Sequence, residues 1–352
     1  MQTHDRSISI DRTALRATLG QYQGSLLWRS LWQMANTFLP FFATCVAMYL
    51  TIDISYWITL ALAIVAAGLV VRIFIIQHDC GHGSFFDRRW ANDLVGTFCS
   101  LFTLTPYANW QRQHAGHHGN WNNLDRRESG TDIYSTCLTV DEYRARSPRQ
   151  RFLYRLARNP VVSLVLLPPF VFLLLYRLPF DTPRAWRKER LAVHFTNAGL
   201  FGAVLVLSLL VGFGDVALVH LPISAIAAVF GVWLFSIQHR FENTLWLRQS
   251  GWDPVTASLN GSSFLRLPRI LQWFTGSIGY HHIHHLNSRV PNYRLQECHE
   301  AARELDAVPA LGMWRALTSF RYALWDEAQG RMVSFPRGNE AVTRRSAPAE
   351  AS

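Results

Sequence analysis

Four long apolar runs constrain the fold of this chain more than any other feature of its sequence. They cover residues 31–52, 54–76, 195–214 and 216–238, and each is close to the roughly 20 residues that a helix needs to cross a bilayer. Arg72 interrupts the second run near its end, where a long side chain can reach the membrane interface. Charged residues make up only 16% of the chain, whereas a typical soluble domain has roughly a quarter. We therefore predict four transmembrane helices and place a soluble all-α protein second.

The distribution of Lys and Arg predicts how these helices are oriented. The connections 51–57 and 214–216 contain neither residue, whereas residues 1–30 contain four, residues 77–160 eleven and residues 240–352 thirteen. Cytoplasmic loops of membrane proteins carry the excess of positive charge. The short connections therefore lie outside, and the four helices form two hairpins that return to the cytoplasm. The same argument assigns the net charge of +10 to a membrane surface rather than to nucleic-acid binding.

Two weaker apolar runs do not fit this topology as full spans. Residues 93–107 are only moderately apolar, and residues 161–176 are broken by Pro168 and Pro169. If the second run crossed the bilayer, the Arg-rich segments on its two sides would face opposite compartments, against the positive-inside rule. We predict that both runs are re-entrant or interfacial helices.

The remaining segments predict one domain with two extensions. Residues 1–30 form a cytoplasmic N-terminal arm, residues 31–329 a single domain, and residues 330–352 a tail whose polar composition is typical of disorder. The five cysteines form no CxxC pair, which argues against a zinc ribbon, an iron–sulfur cluster or a disulfide framework. Residues 1–30 have no short apolar core, so we expect no cleavable signal peptide.

Histidines are concentrated at four places in the chain. Ten of the fourteen belong to the segments "QHDCGH", "QRQHAGHHGN", "SIQHRFENT" and "GYHHIHHLNSRVPNY". Side chains three and four residues apart lie on one face of a helix, and three of the segments have this spacing. The three sets are His78 and His82; His114, His117 and His118; and His281, His284 and His285. Each set can aim its imidazoles at one point, as a metal site built from helices requires.

All four places lie on the cytoplasmic side of the predicted topology. His78 lies at the end of the second span and His239 at the end of the fourth, and the other two sets fall in cytoplasmic segments. Together with His239, the three sets supply nine imidazoles. A tetrahedral metal site has only four ligands, so nine suit two ions. Imidazole binds zinc, copper, iron and nickel, and the donors alone leave the metal open.

The histidine segments resemble those of a known family. "HDCGHGSFF", "HAGHHGN", "QHRFENT" and "GSSFLRLPRILQWFTGSIGYHHIHHLNSRVPNY" are similar to the histidine boxes of the integral-membrane fatty acid desaturases, most of all the acyl-lipid Δ12 (omega-6) and Bacillus-type branch. The likeness runs from about residue 75 to residue 300 and includes the two-hairpin topology. It implies an all-α membrane protein with four transmembrane helices in two hairpins and a cytoplasmic helical cap that holds a histidine-rich di-metal site.

The resemblance also implies an activity and a set of metal ligands. Such an enzyme uses a di-iron centre, O2 and two electrons to introduce a cis double bond into an acyl chain. His282 falls at a variable position of the third box, and Phe235 stands where the acyl-CoA branch has an asparagine, which counts against that branch. The implied iron ligands are His78, His82, His114, His117, His118, His239, His281, His284 and His285.

Residues near the boxes are candidates for supporting roles. Hydrogen-bond acceptors usually hold metal-bound imidazoles in place. The candidates for such contacts are Asp79, Asp132, Glu242, Asn243 and His282. The candidates for contact with the substrate, which follow the third box, are Arg289, Asn292 and Tyr293.

Elementary chemistry agrees with an oxidising metal at this site. An unactivated methylene has no acidic proton for a side chain to remove, and iron supplies redox chemistry that zinc lacks. The chain has no haem-attachment motif, four-cysteine cluster or dinucleotide-binding glycine pattern. We therefore expect a ferredoxin or a cytochrome b5-like protein to deliver electrons to the Arg-rich face.

The expected substrate is an acyl-lipid, and the expected location is the cell (inner) membrane, with the metal site on the cytoplasmic side. Two other functions remain open at this point. A membrane di-iron hydroxylase or ketolase would share the same metal site. A metal transporter, the more distant alternative, would need ligands near the middle of the spans rather than at one end.

Overall fold

The computed structural model describes residues 11–127, 136–305, 308 and 310–336, and these residues are mostly helical. The helices in the first half of the chain are α1 (Arg12–Gln21), α2 (Leu27–Thr51), α3 (Tyr56–His82), α4 (Arg89–Thr103), α5 (Tyr107–Asn120), α6 (Val140–Ala145), α7 (Pro148–Ala157) and α8 (Leu167–Leu173). The later helices are α9 (Arg187–Val211), α10 (Phe213–His239), α11 (Pro254–Gly261), α12 (Arg269–Phe274), α13 (His281–Leu286), α14 (Leu295–Ala301) and α15 (Met313–Thr318).

Four of these helices, α2, α3, α9 and α10, are long and apolar enough to cross a membrane, in agreement with the four predicted spans. The helices extend beyond the apolar runs. α3 continues past residue 76 to His82, and α9 begins at Arg187 rather than at residue 195. Backbone hydrogen bonds propagate a helix into polar sequence, and in α3 this extension carries the first pair of histidines. α10 packs against α3 and α9, and α2 packs against α3.

Arg72 lies inside the protein instead of reaching the interface, so that expectation was wrong. Its side chain is buried, and its Nε donates to Thr37 Oγ1 at 3.0 Å. A second guanidinium nitrogen donates to the carbonyl of Trp273, and the guanidinium lies 4.2 Å from the centre of the Trp273 ring. Polar partners and an aromatic face together offset the cost of burying a charge. Arg72 therefore ties α2 and α12 to α3.

The two weaker runs form shorter elements. α4 overlaps the predicted segment 93–107 and has 15 residues, or about 22 Å of helix, which is too short for a bilayer core of about 30 Å. The segment Val161–Arg177 includes a π-helical turn at Val161–Leu166. It makes an angle of 54° with α7, as in a broken span or a re-entrant segment. The re-entrant interpretation of this segment stays a prediction.

Short strands, which the sequence did not indicate, complete the fold. β1 (Leu138–Thr139), β4 (Leu324–Asp326) and β5 (Arg331–Val333) form one sheet, with β1 parallel and β5 antiparallel to β4. β2 (Phe264–Arg266) pairs in parallel with β3 (Ala310–Gly312). Residues 331–333 were assigned to a disordered tail, which was wrong because Met332 is buried in a cluster with Trp325. Residues 337–352 of that tail and residues 1–10 of the arm lie outside the described residues.

The apolar core that holds the histidine helices lies between α13 and the ends of the spans. Ile283, the isoleucine among the four histidines of α13, is fully buried. It belongs to one core cluster with Ile75 of α3 and with Leu234 and Ile237 of α10. The two spans that end in histidines and the short helix α13 are therefore joined by apolar packing.

Candidate metal centre

Nine histidines from four helices converge in two clusters. Within each cluster, one ligand nitrogen from every histidine lies within 4.8 Å of the others. The five-histidine cluster consists of His78, His82, His114, His118 and His284, and the four-histidine cluster consists of His117, His239, His281 and His285. Eight of these nine are the histidines that helical spacing singled out in the sequence, and the ninth is His239, which was placed with them by its position at the end of the fourth span.

Helices α5 and α13 each contribute to both clusters. In α5, His114 and His118 join the five-histidine cluster, while His117 joins the other. In α13 the arrangement is reversed, because the pair four residues apart joins the four-histidine cluster and His284 joins the larger one. Successive helical residues differ by about 100°. A residue at i+4 therefore lies about 40° from residue i, and one at i+3 about 60° to the other side. The expectation that each set meets at one point was too simple.

The four-histidine cluster brings more nitrogens together than hydrogen bonds can satisfy. The Nε2 atom of His239 has three close Nε2 neighbours, at 3.1 Å in His117, 2.9 Å in His281 and 3.0 Å in His285. A neutral imidazole nitrogen has either one proton or one lone pair, so it cannot bond to three others. Nitrogens that share an ion at about 2.1 Å lie about 3.0 to 3.4 Å apart. A cation among these nitrogens fits the observed separations.

The five-histidine cluster has the same character. His118 Nε2 lies 3.2 Å from His114 Nε2 and 3.0 Å from His284 Nε2. His82 Nε2 is buried and has no hydrogen-bond partner among the described residues. Buried polar atoms in proteins are nearly always bonded to something. A metal ion is the partner that would satisfy a lone pair at this place.

The electrostatic environment favours the neutral form of five of these imidazoles. Burial, reinforced by the neighbouring imidazoles, lowers the pKa well below the usual value for His114, His118, His281, His284 and His285. A lowered pKa means that the rings are neutral at pH 7. Neutral imidazole is the form that binds metals, because protonation removes the lone pair.

Two rings of the clusters, those of His78 and His239, have a hydrogen-bond acceptor near Nδ1. His78 Nδ1 lies 3.2 Å from Asp79 Oδ1, and His239 Nδ1 lies 3.2 Å from the carbonyl oxygen of Gly261. An acceptor at Nδ1 favours the tautomer whose Nε2 carries the lone pair. In both rings Nε2 is then the nitrogen available to a metal.

A cavity of about 440 Å³ lies against the five-histidine cluster. His82 and His114 form part of its wall, and Trp110 and Gly81 lie beside them. Its charged lining residues are Arg89, Arg112, Lys188 and Glu189. Arg112 donates to Glu189 at 2.9 Å, which leaves the wall with an excess of positive charge.

Comparison with known proteins agrees with this site. Residues 55–316 match the fatty acid desaturase family. The chain belongs to the fatty acid desaturase family. It is 44% identical over 306 residues to the fatty acid desaturase of Bacillus subtilis, with 87% of this chain and 86% of the relative covered. This membership confirms the resemblance and makes the protein an oxidoreductase of the desaturase type.

More distant desaturases are also similar. The sn-1 oleoyl-lipid 12-desaturase of Synechocystis is 27% identical over 263 residues, covering 73% of this chain and 72% of that protein. The Delta(12) fatty acid desaturase DES8.11 of Calendula officinalis is 25% identical over 355 residues, covering 91% and 84%. These relatives, with the Bacillus protein, support the branch predicted from the histidine segments.

The predicted supporting residues of this desaturase differ in whether they contact the histidine clusters. His282 turns away from both clusters, with its Nε2 3.3 Å from His299 Nδ1, and burial lowers the pKa of His282 to about 3. Glu242 and Asn243 are exposed, and a carboxylate oxygen of Glu242 lies 3.8 Å from Arg331. Asp79 touches His78 as described above. Asp132 lies outside the described residues.

The residues after the third box make contacts within the protein. Arg289 is exposed, whereas Asn292 is buried. Asn292 Nδ2 donates to Asp79 Oδ2 at 2.8 Å. The hydroxyl of Tyr293 accepts from the backbone N–H of Leu26 at 2.9 Å. Substrate contact by these three residues stays a prediction.

Sequence reasoning missed one aromatic residue that touches both clusters. Trp121 is buried, and its ring centre lies 4.5 Å from that of His285 and 6.2 Å from that of His118. A signal was available, because Trp121 follows His118 at a spacing of three residues. The indole therefore lies beside one histidine of each cluster.

Proposed function

We propose that this desaturase is an O2-dependent acyl-lipid desaturase that introduces a cis double bond at a di-iron centre held by nine histidines. The convergence of nine imidazoles into two adjacent clusters is the observation that supports it most. Two clusters of four and five nitrogens suit two ions. Iron is the metal that membership of this family implies, and it has the redox chemistry for oxidising an acyl chain that zinc lacks.

The proposed reaction balances as follows. Two hydrogens leave neighbouring carbons of the chain, one O2 is reduced to two waters, and two electrons and two protons are taken up. Two iron ions, when bound, would supply the oxidising power that no side chain has toward an unactivated C–H bond. Because the electrons have no source in the chain, we assign them to a ferredoxin or a cytochrome b5-like carrier.

The chain's own residues hold and insulate the ligands in this proposal. The five-histidine cluster would hold one ion and the four-histidine cluster the other. Asp79 and the carbonyl of Gly261 fix the rings of His78 and His239, while His282 stays outside the ligand set. Burial lowers the pKa of His114, His118, His281, His284 and His285, so protons do not compete for the lone pairs of these five rings.

The cavity beside His82 and His114 is our candidate for the approach of the acyl group. Two histidines of the five-histidine cluster form part of its wall. Its apolar part, at Trp110 and Gly81, suits a methylene chain, and Arg89 and Lys188 suit an anionic lipid head group. The Synechocystis relative is named for an oleoyl-lipid, which supports a lipid-linked substrate here.

The proposed topology follows from where the histidines lie along the spans. His82 ends α3 and His239 ends α10, so the metal site lies at one end of these spans rather than at their middle. That position argues against a transporter, which binds its cargo near the midplane. Together with the Arg distribution, it supports two hairpins in the cell (inner) membrane and a cytoplasmic cap.

Product analysis tests this function. The protein is expressed in a host whose membranes contain saturated and monounsaturated lipids, and new double bonds are located by mass spectrometry. We expect one additional cis double bond in lipid-linked chains and about two iron ions per purified chain. A hydroxylated or keto product would favour the hydroxylase or ketolase alternative. A protein that binds no iron would contradict the di-iron assignment.

A further inference from the structure

The carboxyl group of Asp79 is shared between a histidine and a distant turn. Its Oδ1 lies 3.2 Å from His78 Nδ1. Its Oδ2 accepts two hydrogen bonds from Asn292, from the backbone N–H at 2.6 Å and from Nδ2 at 2.8 Å. The position of the carboxyl group is therefore set by Asn292, which is 213 residues away in the sequence.

The amide group of Asn292 has a second partner in the first span. Gln33 Nε2 donates to Asn292 Oδ1 at 3.1 Å, and Asn292 Nδ2 donates to Gln33 Oε1 at 3.2 Å. With the bond to Asp79, the Asn292 side chain uses both of its N–H groups and its oxygen. An amide held at three points has a single orientation available.

All four residues of this hydrogen-bond network are buried away from solvent. Relative exposure is 3% for Gln33, 2% for Asn292, 2% for Asp79 and 4% for His78. Hydrogen bonds are stronger away from water, and an unpaired member costs more there. The network therefore transmits a fixed geometry from α2 to the imidazole of His78.

A glycine makes room for this amide. Gly276 has a φ of +53°, and a Cβ at this position would lie 3.1 Å from Asn292 Oδ1 and 2.7 Å from Ile75 Cγ2. A side chain at residue 276 would be strained and would push against the amide. The position of the Asn292 side chain is therefore set by the backbone at Gly276 as well as by hydrogen bonds.

We infer that Asn292 and Gln33 are positioning residues for His78, acting through Asp79. This inference rests on the proposed metal function, in which His78 is a ligand. Asn292 holds Oδ2 of the carboxyl group, which leaves Oδ1 facing Nδ1 of His78. Gln33 fixes the amide of Asn292 and so acts on the ligand from the first span. Partners of this kind commonly change metal affinity 10- to 100-fold when they are removed.

The test measures iron binding by the full chain in detergent. Metal-free protein is titrated anaerobically with Fe²⁺ in competition with a coloured chelator. The variants are Gln33→Met, Asn292→Ala and the double substitution, with Thr37→Val as the matched control. Thr37 is buried one turn further along α2 and bonds to the Gln33 carbonyl and to Arg72, so its replacement removes a buried polar group without touching Asp79.

We expect Gln33→Met and Asn292→Ala to weaken the binding of one of two ions about 10- to 100-fold. The double variant should bind no more weakly than Asn292→Ala alone, because residues that act in series are not additive. Thr37→Val should bind both ions as the unsubstituted protein does. Unfolding midpoints of the metal-free variants should match that of the control.

Three results would overturn the inference. One is that both variants hold two ions with unchanged affinity, and another is that Thr37→Val weakens binding as much as they do. The third is that the metal-free variants do not fold, because the network then supports the spans and not the ligand. If the unsubstituted protein does not bind two ions, the proposed function fails as well, so the two failures are distinguishable.

Discussion

The rings of His118 and His285 stack face to face, with their centres 4.2 Å apart and their planes at 18°. His118 belongs to the five-histidine cluster and His285 to the four-histidine cluster. The stack is therefore a place where the two clusters touch. Because α5 and α13 both supply residues to each cluster, a movement of either helix displaces ligands of both proposed ions.

Substitutions in α13 should distinguish the histidines that bind metal from the neighbouring histidine that does not. His284→Ala and His285→Ala each remove a nitrogen from a different cluster. We expect each variant to retain about one of two iron ions and to lose activity at least about 100-fold, since even outer contacts contribute 10- to 100-fold. Iron analysis of purified protein and product analysis of lipids measure both quantities.

His282→Gln is the control for these two variants, because His282 lies in the same helix and faces His299 instead. The amide retains a polar group at this buried site. This variant should keep two iron ions and most of its activity. Loss of one ion from His282→Gln, or full activity of His284→Ala, would contradict the division of α13.

Tyr293→Phe should reduce stability rather than substrate binding. The hydroxyl of Tyr293 accepts from Leu26 N–H at 2.9 Å and lies 3.1 Å from Ser30 Oγ. Without it, a part-buried N–H loses its partner, which costs about 1–3 kcal/mol in the free energy of unfolding. Thermal unfolding in detergent measures this loss, and steady-state kinetics should show an unchanged KM.

Tyr56→Phe is the matched control, because the Tyr56 hydroxyl bonds to the carbonyl of Leu218 at an exposed position. Surroundings can replace that bond, so the change should stay within about 0.5 kcal/mol. A raised KM for Tyr293→Phe at unchanged stability would instead support the substrate contact predicted from the sequence.

Filling the cavity should block substrate without loss of metal. Ala115 is exposed and lines the cavity beside His114. Ala115→Trp adds a bulky ring there, and we expect a fall of at least about tenfold in kcat/KM, which corresponds to about 1.4 kcal/mol. Iron content should not change, because no ligand is altered.

Gly119→Trp places the same ring one turn further along α5. Gly119 is exposed, and a Cβ at this position meets no atom within 4 Å. This control should retain most of the activity. Equal losses in both variants would show that α5 tolerates no large residue and would remove the cavity from the proposal.

The five cysteines should resist alkylation in the folded protein. All are buried and free, and burial raises the pKa of Cys137 and of Cys298 to about 12. Since the thiolate is the reactive form, only about one thiol in ten thousand is reactive at pH 8. Raising the pH to 9 should therefore leave iodoacetamide labelling low, as measured by intact mass.

Gln296→Cys supplies an exposed thiol on α14 for comparison. It should be labelled once under the same conditions, and all native thiols should react after denaturation. Labelling of Cys137 or Cys298 at the rate of this control would show that the surrounding segments open readily.

Local spacing made the clustered histidines predictable, whereas contacts between residues far apart in the chain gave no signal in the sequence. The nine histidines could be chosen because helical periodicity and the end of a span are visible in short segments. The exchange between α5 and α13 depends on how two helices face each other, which no single segment records. Gln33 carries no local signal, because its partner Asn292 lies 259 residues away.

The fold was likewise predictable where the signal lies in one continuous segment, and not where it depends on residues far apart in the chain. Long apolar runs fixed four spans, because burial in lipid demands a continuous apolar length. Arg72 is a charged residue within the second of these runs, and Thr37 and Trp273 of other helices accept its hydrogen bonds. Neither partner can be recognised from the segment around Arg72. The short strands were missed because two or three residues carry too little pattern to distinguish them from loops.

The bond between Asp79 and Asn292 has a consequence for synthesis of the chain. The two residues are 213 positions apart, and a ribosome adds about 5 to 20 residues per second. For about 10 to 40 s after the second span leaves the ribosome, His78 therefore has neither its orienting turn nor its fellow ligands from α13. A nascent desaturase halted before residue 281 should hold no pair of ions, and iron insertion becomes an event of late translation.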